Sequence, residues 1–401
     1  MLSLFILLAL VAQVLAAPTP AQPERRAVQP KVKSSTYVGN VTDPSVSRDS
    51  CGSVRIDNRV LWTCRDTTKY DVLQQKSTLP MVTNTASWTN LTSEGGPELH
   101  NGPVGAASSG TSPILQMYGD IYNASGMLNE FFPLQQSQCP DYGVCEDGSR
   151  WVVWPDSPPL IASSSDSSTI GYTWIPNVHL ANLTQLNSAT PSHALYKTSY
   201  ASSSDLNVLP TTQLISPGFC EEGEIGYGRY GNVAKDNYAY LYGQTASKTT
   251  ALARVPLSSI EDRSTYQYYV NNAWSSTPPS ISSASATVPN AGAGGQGTFY
   301  YCSYLTSYVW IGQQANSVVA DFYITTSPAP EGPWTVPVKF FEGQNGDGGI
   351  GGYSLQAHPS LSNDGGKRGI HVSWTQYWKV ETVAAGYITP LVWLEFEGMN
   401  Q

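Results

Sequence analysis

The chain has 401 residues and a formal charge of −9, and only 13% of its side chains are charged, about half the ~25% of an average soluble domain. An acidic chain argues against nucleic acid or an anionic membrane as partner, whereas a polysaccharide or other neutral glycan fits it. No stretch after residue 30 repeats apolar residues at helical spacing, so the abundant Gly (35), Pro (28), Tyr (24) and Trp (11) predict strands and turns.

At the N-terminus, Leu2 to Leu15 is an apolar run closed by Ala16 and Ala17. It spans about 14 residues, short of the ~20 that a transmembrane helix needs. Residues 1–16 therefore read as a signal peptide, with no membrane anchoring once it is removed, and residues 17–44 as a pro-segment and extension carrying a dibasic pair, Arg25-Arg26. The remainder, 45–401, reads as a single domain of a secreted, extracellular monomer. Four sequons, at Asn40, Asn90, Asn123 and Asn182, are expected to face solvent, because glycans need exposed loops. The cysteines are Cys51, Cys64, Cys139, Cys145, Cys220 and Cys302, an even number for an oxidising compartment. The preferred pairing is Cys51 with Cys64, Cys139 with Cys145 and, by elimination, Cys220 with Cys302. There is no C-x-x-C spacing for a metal site, and neither a metal nor a cofactor is expected.

Short aromatic strands ending in a polar turn recur along the chain. They are Val60 to Asp66, Trp151 to Asp156, Tyr238 to Gln244, Tyr308 to Gln313 and Gly369 to Gln376. A spacing of roughly 60–90 residues suits a four-stranded blade with long loops. The predicted fold is all-β, a five-bladed β-propeller closed by strands from the two ends of the chain. The alternative is a β-sandwich whose aromatics are ordinary core.

Ser47-Arg-Asp-Ser50 followed by Val60-Leu-Trp-Thr-Cys-Arg-Asp-Thr67 resembles the opening of the family catalogued as domain of unknown function 4185. Further similar pieces are Gly223 to Val233, Ala253 to Leu257 with Tyr266 to Tyr269 and Trp274, and Ser327 to Trp334. The resemblance implies a five-bladed propeller related to arabinan- and fructan-cleaving enzymes, including the furanose-polymer hydrolases of glycoside hydrolase family 183. Cys64-Arg65 stands where bacterial members carry Phe-Gly.

Glycoside hydrolysis needs two carboxyl groups flanking the bond. Asp49, ahead of the first strand pair, and Asp66, at the end of an aromatic strand, are the leading candidates, although an Asp before Thr also caps turns through its own backbone. Glu224 sits among glycines that permit close approach. Asp156 holds the matching place in the second repeat, and His358 precedes the last aromatic strand; both also suit structural roles. Trp62, Trp154, Tyr227, Tyr230 and Trp310 are candidate platforms for sugar rings, and Arg229 and Gln313 candidate donors. The run Gly343 to Gly352 lacks calcium-loop spacing and reads as an inter-blade loop. Two functions stay open: a secreted glycoside hydrolase with an axial carboxylate pair, and a non-catalytic, lectin-like glycan binder. Unlike residues ending the five repeats favour one central site over several equal ones.

Overall fold

The computed structural model describes residues 28–71, 76–93, 95–103, 111–203, 205–361, 368–378 and 386–398. The signal-peptide and dibasic expectations fall outside them. Among the described residues the chain is nearly all β, with four single-turn 3-10 segments as its only helical elements and none long and apolar enough to cross a membrane.

The strands form seven sheets, five of which follow one another along the chain, antiparallel except where Val32–Asn40 meets Thr111–Leu115 in parallel. The first joins Cys51–Ile56, Arg59–Cys64 and Thr85–Asn90. The second joins Leu160–Ser164, Ser168–Pro176, His193–Ala201 and Thr211–Cys220. The third runs from Gly231–Lys235 through Tyr238–Gln244 and Thr250–Pro256 to Gln267–Val270 and Ala273–Ser275. The fourth joins Gly294–Cys302, Ser307–Gln314, Asp321–Ser327 and Val338–Glu342. The fifth begins with Tyr353–Ala357, Gly369–Trp378 and Pro390–Phe396 and then takes in the N-terminal strand Val32–Asn40, with Thr36 opposite Trp393. This pairing of the two chain ends covers an edge that would otherwise be open to other strands.

Cores lie between consecutive sheets. Leu61 and Trp88 meet Ile175 and Tyr196 between the first and second, and Trp174 and Leu195 meet Leu241 and Val255 between the second and third. Tyr242 packs with Phe299 and Trp310 between the third and fourth, Ile311 and Phe322 with Val372 and Leu394 between the fourth and fifth, and Leu391 with Val60 and Trp62 between the fifth and first. The leading strands of the second to fifth sheets touch in order, the fifth touches the first, and together they border a cavity of about 290 Å3 lined by Ser53, Leu160, Val233, Phe299 and Gln356.

This stacking explains the aromatic repeats. A strand covered on both faces carries apolar side chains continuously instead of alternating, and in Arg59–Cys64 every residue after Arg59 is buried. Four of the five repeats are second strands of a sheet. The copy at Trp151 is a correction: Arg150–Val152 belongs to a small sheet with Val178–Ala181 and Thr184–Gln185, and the true second strand of the second sheet is Ser168–Pro176, bearing Tyr172 and Trp174.

Cys51 is bonded to Cys64 and Cys139 to Cys145. The pairing of Cys220 with Cys302 is not made, because Cys220 lies in the core between the second and third sheets and Cys302 in that between the fourth and fifth. Burial pushes the Cys220 thiol up to about 12. The sequons also need correction. Asn123 and Asn182 are exposed, but Asn40 is 4% exposed and donates to the Tyr37 hydroxyl, while Asn90 accepts from Arg59 and donates to Glu98. In the 343–352 run, Asn345 Oδ1 accepts from the Ala320 amide at 2.8 Å, anchoring the loop to the fourth sheet.

Leu394 is fully buried between its partners Ser35 and Ile370. Leu394→Ala should lower the unfolding free energy by about 3 kcal/mol in urea denaturation, whereas truncating Leu183, which is 91% exposed, should change it little. Equal effects would contradict the closure of the fifth sheet.

Candidate active site

The lead-in to each of the first three sheets carries a candidate acid: Asp49 before Cys51–Ile56, Asp156 before Leu160–Ser164 and Glu224, with Glu221 and Glu222 beside it, before Gly231–Lys235. Asp156 therefore corresponds to Asp49 in the fold, and not to Asp66 as the repeat at Trp151 suggested. Asp66 follows Arg59–Cys64, and two backbone bonds lock this turn to the lead-in, Asp49 N to Asp66 O at 3.0 Å and Arg65 N to Asp49 O at 2.9 Å.

A network of carboxylates and guanidiniums grows from that turn. Asp156 takes Arg65 on Oδ1 and Arg229 Nε on Oδ2, the latter at 2.6 Å. Burial pushes its pKa up, but the two cations overcome this and hold the carboxyl below its ordinary value. Asp66 is clasped by both terminal nitrogens of Arg150 and accepts from Trp154 Nε1 at 2.9 Å, a bidentate geometry that fixes direction as well as charge. Asp49 behaves differently. It is pushed up to about 6 by burial, against the pull of Arg65 and a hydrogen bond from Tyr353, and the neighbouring Asp66 adds to the rise. Its Oδ1 is shielded and has no partner among the described residues.

Arg65, Trp154, Asp156 and Arg229 line a cleft of about 680 Å3, together with Glu224, Tyr230 and His193. That volume suits a small oligosaccharide. Glu224 is half-exposed, held by Arg263 Nη2 at 2.9 Å and by the Glu221 amide at 2.7 Å. The neighbouring glycine is required: a Cβ on Gly226 would lie 2.3 Å from the His193 ring.

Five predicted contacts lie away from this cleft. Trp62 is fully buried, donating to Thr89 at 3.1 Å, and Trp310 is fully buried between the third and fourth sheets; as second-strand residues both are covered by adjacent sheets. Gln313 is spent on the carbonyls of Ser317, Val319 and Gly352. His358 bridges Ser53 and Ser373, at 2.7 Å each, in the core, where burial pushes it down to about 3. Tyr227 packs against Tyr268 beside Cys220, away from the cleft.

Sequence reasoning missed Arg65, Arg150, Tyr353, His193 and Lys248. His193 is 4% exposed, neither ring nitrogen has a partner among the described residues, and burial pushes it down to about 3. Arg65 and Arg150 carried a signal, since each adjoins an aromatic strand in a chain with few charges.

The model of a family described as a domain of unknown function (DUF5005) matches residues 181–367; the resemblance to domain of unknown function 4185 rests on its motifs alone. No curated protein matches the chain. A protein from Bacteroides ovatus ATCC 8483, provisionally described as a hydrolase, has 14% identity and a TM-score of 0.58 over 89% of this chain and 87% of its own. This likeness is one of fold. A GH43_1 enzyme from Xanthomonas citri shows 9% identity and a TM-score of 0.43, covering 88% of this chain and 90% of its own. RS223 β-xylosidase shows 8% and 0.44, covering 92% and 96%.

Two outcomes follow from the network. Arg150→Ala should destabilise the protein by about 3 kcal/mol, and Arg150→Met with Asp66→Leu should recover most of that loss, because the damage is an unpaired, largely buried charge; a double mutant as unstable as the single one would contradict this. Asp49 binds its proton more tightly folded (about 6) than at its ordinary value of 3.8. Its contribution to stability is therefore full below pH about 4 and lost as pH rises through about 6. His193 and His358 act in the opposite sense, contributing above their ordinary value of 6.5 and losing this as pH falls towards about 3. Asp49→Asn isolates the acid: the variant should be more stable than wild type at pH 8 and equal to it at pH 4. A variant less stable at pH 8 would overturn the burial argument.

Proposed function

We propose that the protein is a secreted glycoside hydrolase of five-bladed β-propeller architecture, acting on an extracellular polysaccharide; the motif resemblance implies a furanose-containing one. The five consecutive sheets, the cores between neighbours and the union of the two chain ends support the blade count. The fold shared with the Bacteroides ovatus protein, described as a hydrolase, is consistent with this reading.

One observation carries the chemistry: Asp49, a carboxyl that burial pushes up to about 6, is tied through its backbone carbonyl to the amide of Arg65, which lines the cleft together with Glu224. Asp49 is the general acid, protonating the leaving oxygen, and Glu224 the second carboxyl, serving as base or nucleophile on the other side of the bond. Asp66 and Asp156, both held by arginines, are positioning residues: Asp66 sustains the rise at Asp49, and Asp156 places Arg65 and Arg229. Trp154 and Tyr230 offer ring faces to the sugar. A glycan at the exposed Asn123 is compatible with this site, as neither that residue nor its neighbours line the cleft, whereas Asn182 adjoins the lining residue Leu183.

The lectin-like reading keeps one supporting fact, that Asp156 on the cleft wall and Asp66 beside it in the network are already neutralised by arginines. Assay of the purified protein on a panel of arabinans, galactofuranans and xylans separates the two. Hydrolysis should fall as pH rises through about 6, and Asp49→Asn and Glu224→Gln should each lower kcat by about 10²–10⁴-fold while the fold persists. Binding without cleavage at any pH would replace the hydrolase reading with the lectin one.

A further inference from the structure

The cleft has a charge balance unlike that of the chain. The whole molecule carries −9, yet this wall presents Arg65, Arg229 and Lys248 against Asp156 and Glu224. Each of the two acids is already satisfied, Asp156 by two arginines and Glu224 by Arg263 from outside the lining. Positive charge is therefore left over. Arg229 spends only Nε on Asp156, and its terminal nitrogens have no partner among the described residues, with 41% of its side chain exposed. Lys248, exposed at the tip of the turn between Tyr238–Gln244 and Thr250–Pro256, makes no ion pair among the described residues. The turn is braced, with Lys248 N bonded to Thr245 O at 3.0 Å. His193, buried and unpartnered on the same wall, is a polar group with bonding capacity waiting for a ligand.

We propose that this side of the cleft is a subsite for an acidic sugar, a uronic acid whose carboxylate lies between the Arg229 fork and the Lys248 ammonium while His193 bonds a ring hydroxyl. A guanidinium with both terminal nitrogens free matches a carboxylate in plane, and the lysine adds a point charge. The inference rests on the proposed glycan-cleaving role, but it concerns recognition and can be read by binding alone.

The test compares uronate-bearing xylan oligosaccharides with the same oligosaccharides after carboxyl reduction, which leaves the backbone intact and removes the charge. Calorimetric titration of the full-length protein should give about tenfold tighter binding of the uronate form at low salt, with the preference shrinking as salt rises. Lys248→Gln should bring the ratio between the two forms towards unity. Equal binding of the two forms, or a ratio unchanged in Lys248→Gln, overturns the subsite. Cleavage of the arabinan, galactofuranan and xylan panel, measured in parallel, keeps the two claims apart. Cleavage without preference sinks the subsite and leaves the hydrolase, and preference with no member of the panel cleaved does the reverse; if neither form is bound and nothing in the panel is cleaved, both fail.

Discussion

The carboxylate of Asp156 is the point on which the site depends. It leads into the second sheet, yet its partners are Arg65, at the end of a strand of the first sheet, and Arg229, leading into the third. One side chain thereby ties three sheets together at a place where their lead-in loops would otherwise be free to drift. The largely desolvated Arg65 and Asp156 are tolerable only because each has its counterpart, and removing either leaves a buried charge without compensation, while the half-exposed Arg229 adds a second cation from the solvent side. That requirement makes the arrangement specific: the wall of the cleft cannot rearrange without breaking an ion pair.

Asp49 gains its properties from the same arrangement. Arg65 is shared between two acids, so it cannot fully hold the proton off Asp49, and the adjacent Asp66, fixed by Arg150 and Trp154, adds like charge. A carboxyl that keeps its proton near neutrality is the consequence of surroundings that satisfy its neighbours first. Glu130 shows the same physics nearby, half-buried and pushed up to about 7 by desolvation, with Arg150 pulling weakly the other way.

Much of this was legible in the sequence, and unevenly so. The all-β class followed from composition and missing helical periodicity, and four aromatic repeats marked true second strands because sheets stacked on both faces demand continuous apolar residues. The Trp151 copy misled, since Arg150–Val152 is a short side strand with aromatic content, while Ser168–Pro176 dilutes its Tyr172 and Trp174 with small and hydroxyl residues. Trp62 and Trp310 were misplaced for the reason that made their strands recognisable: an aromatic in a covered strand is core, and ring faces open to a ligand come from loops, as Trp154 does. The acids Asp49, Asp156 and Glu224 stood out by position, but the arginines that set their charge come from distant segments, and no local pattern announces a partner 73 residues away, as Arg229 is from Asp156. Cys220 and Cys302, paired by elimination, illustrate the limit of counting cysteines where two of them serve as small apolar residues in separate cores.

The most direct measurement is a crystal structure of the protein with an oligosaccharide soaked into it. The account predicts sugar density in the cleft of about 680 Å3, spanning Trp154 and Tyr230, with a glycosidic oxygen within hydrogen-bond reach of Asp49 and Glu224 across the bond. Sugar bound instead in the separate hollow of about 570 Å3 lined by Tyr37, Phe341 and Trp374, with the Asp49 side empty, would contradict it.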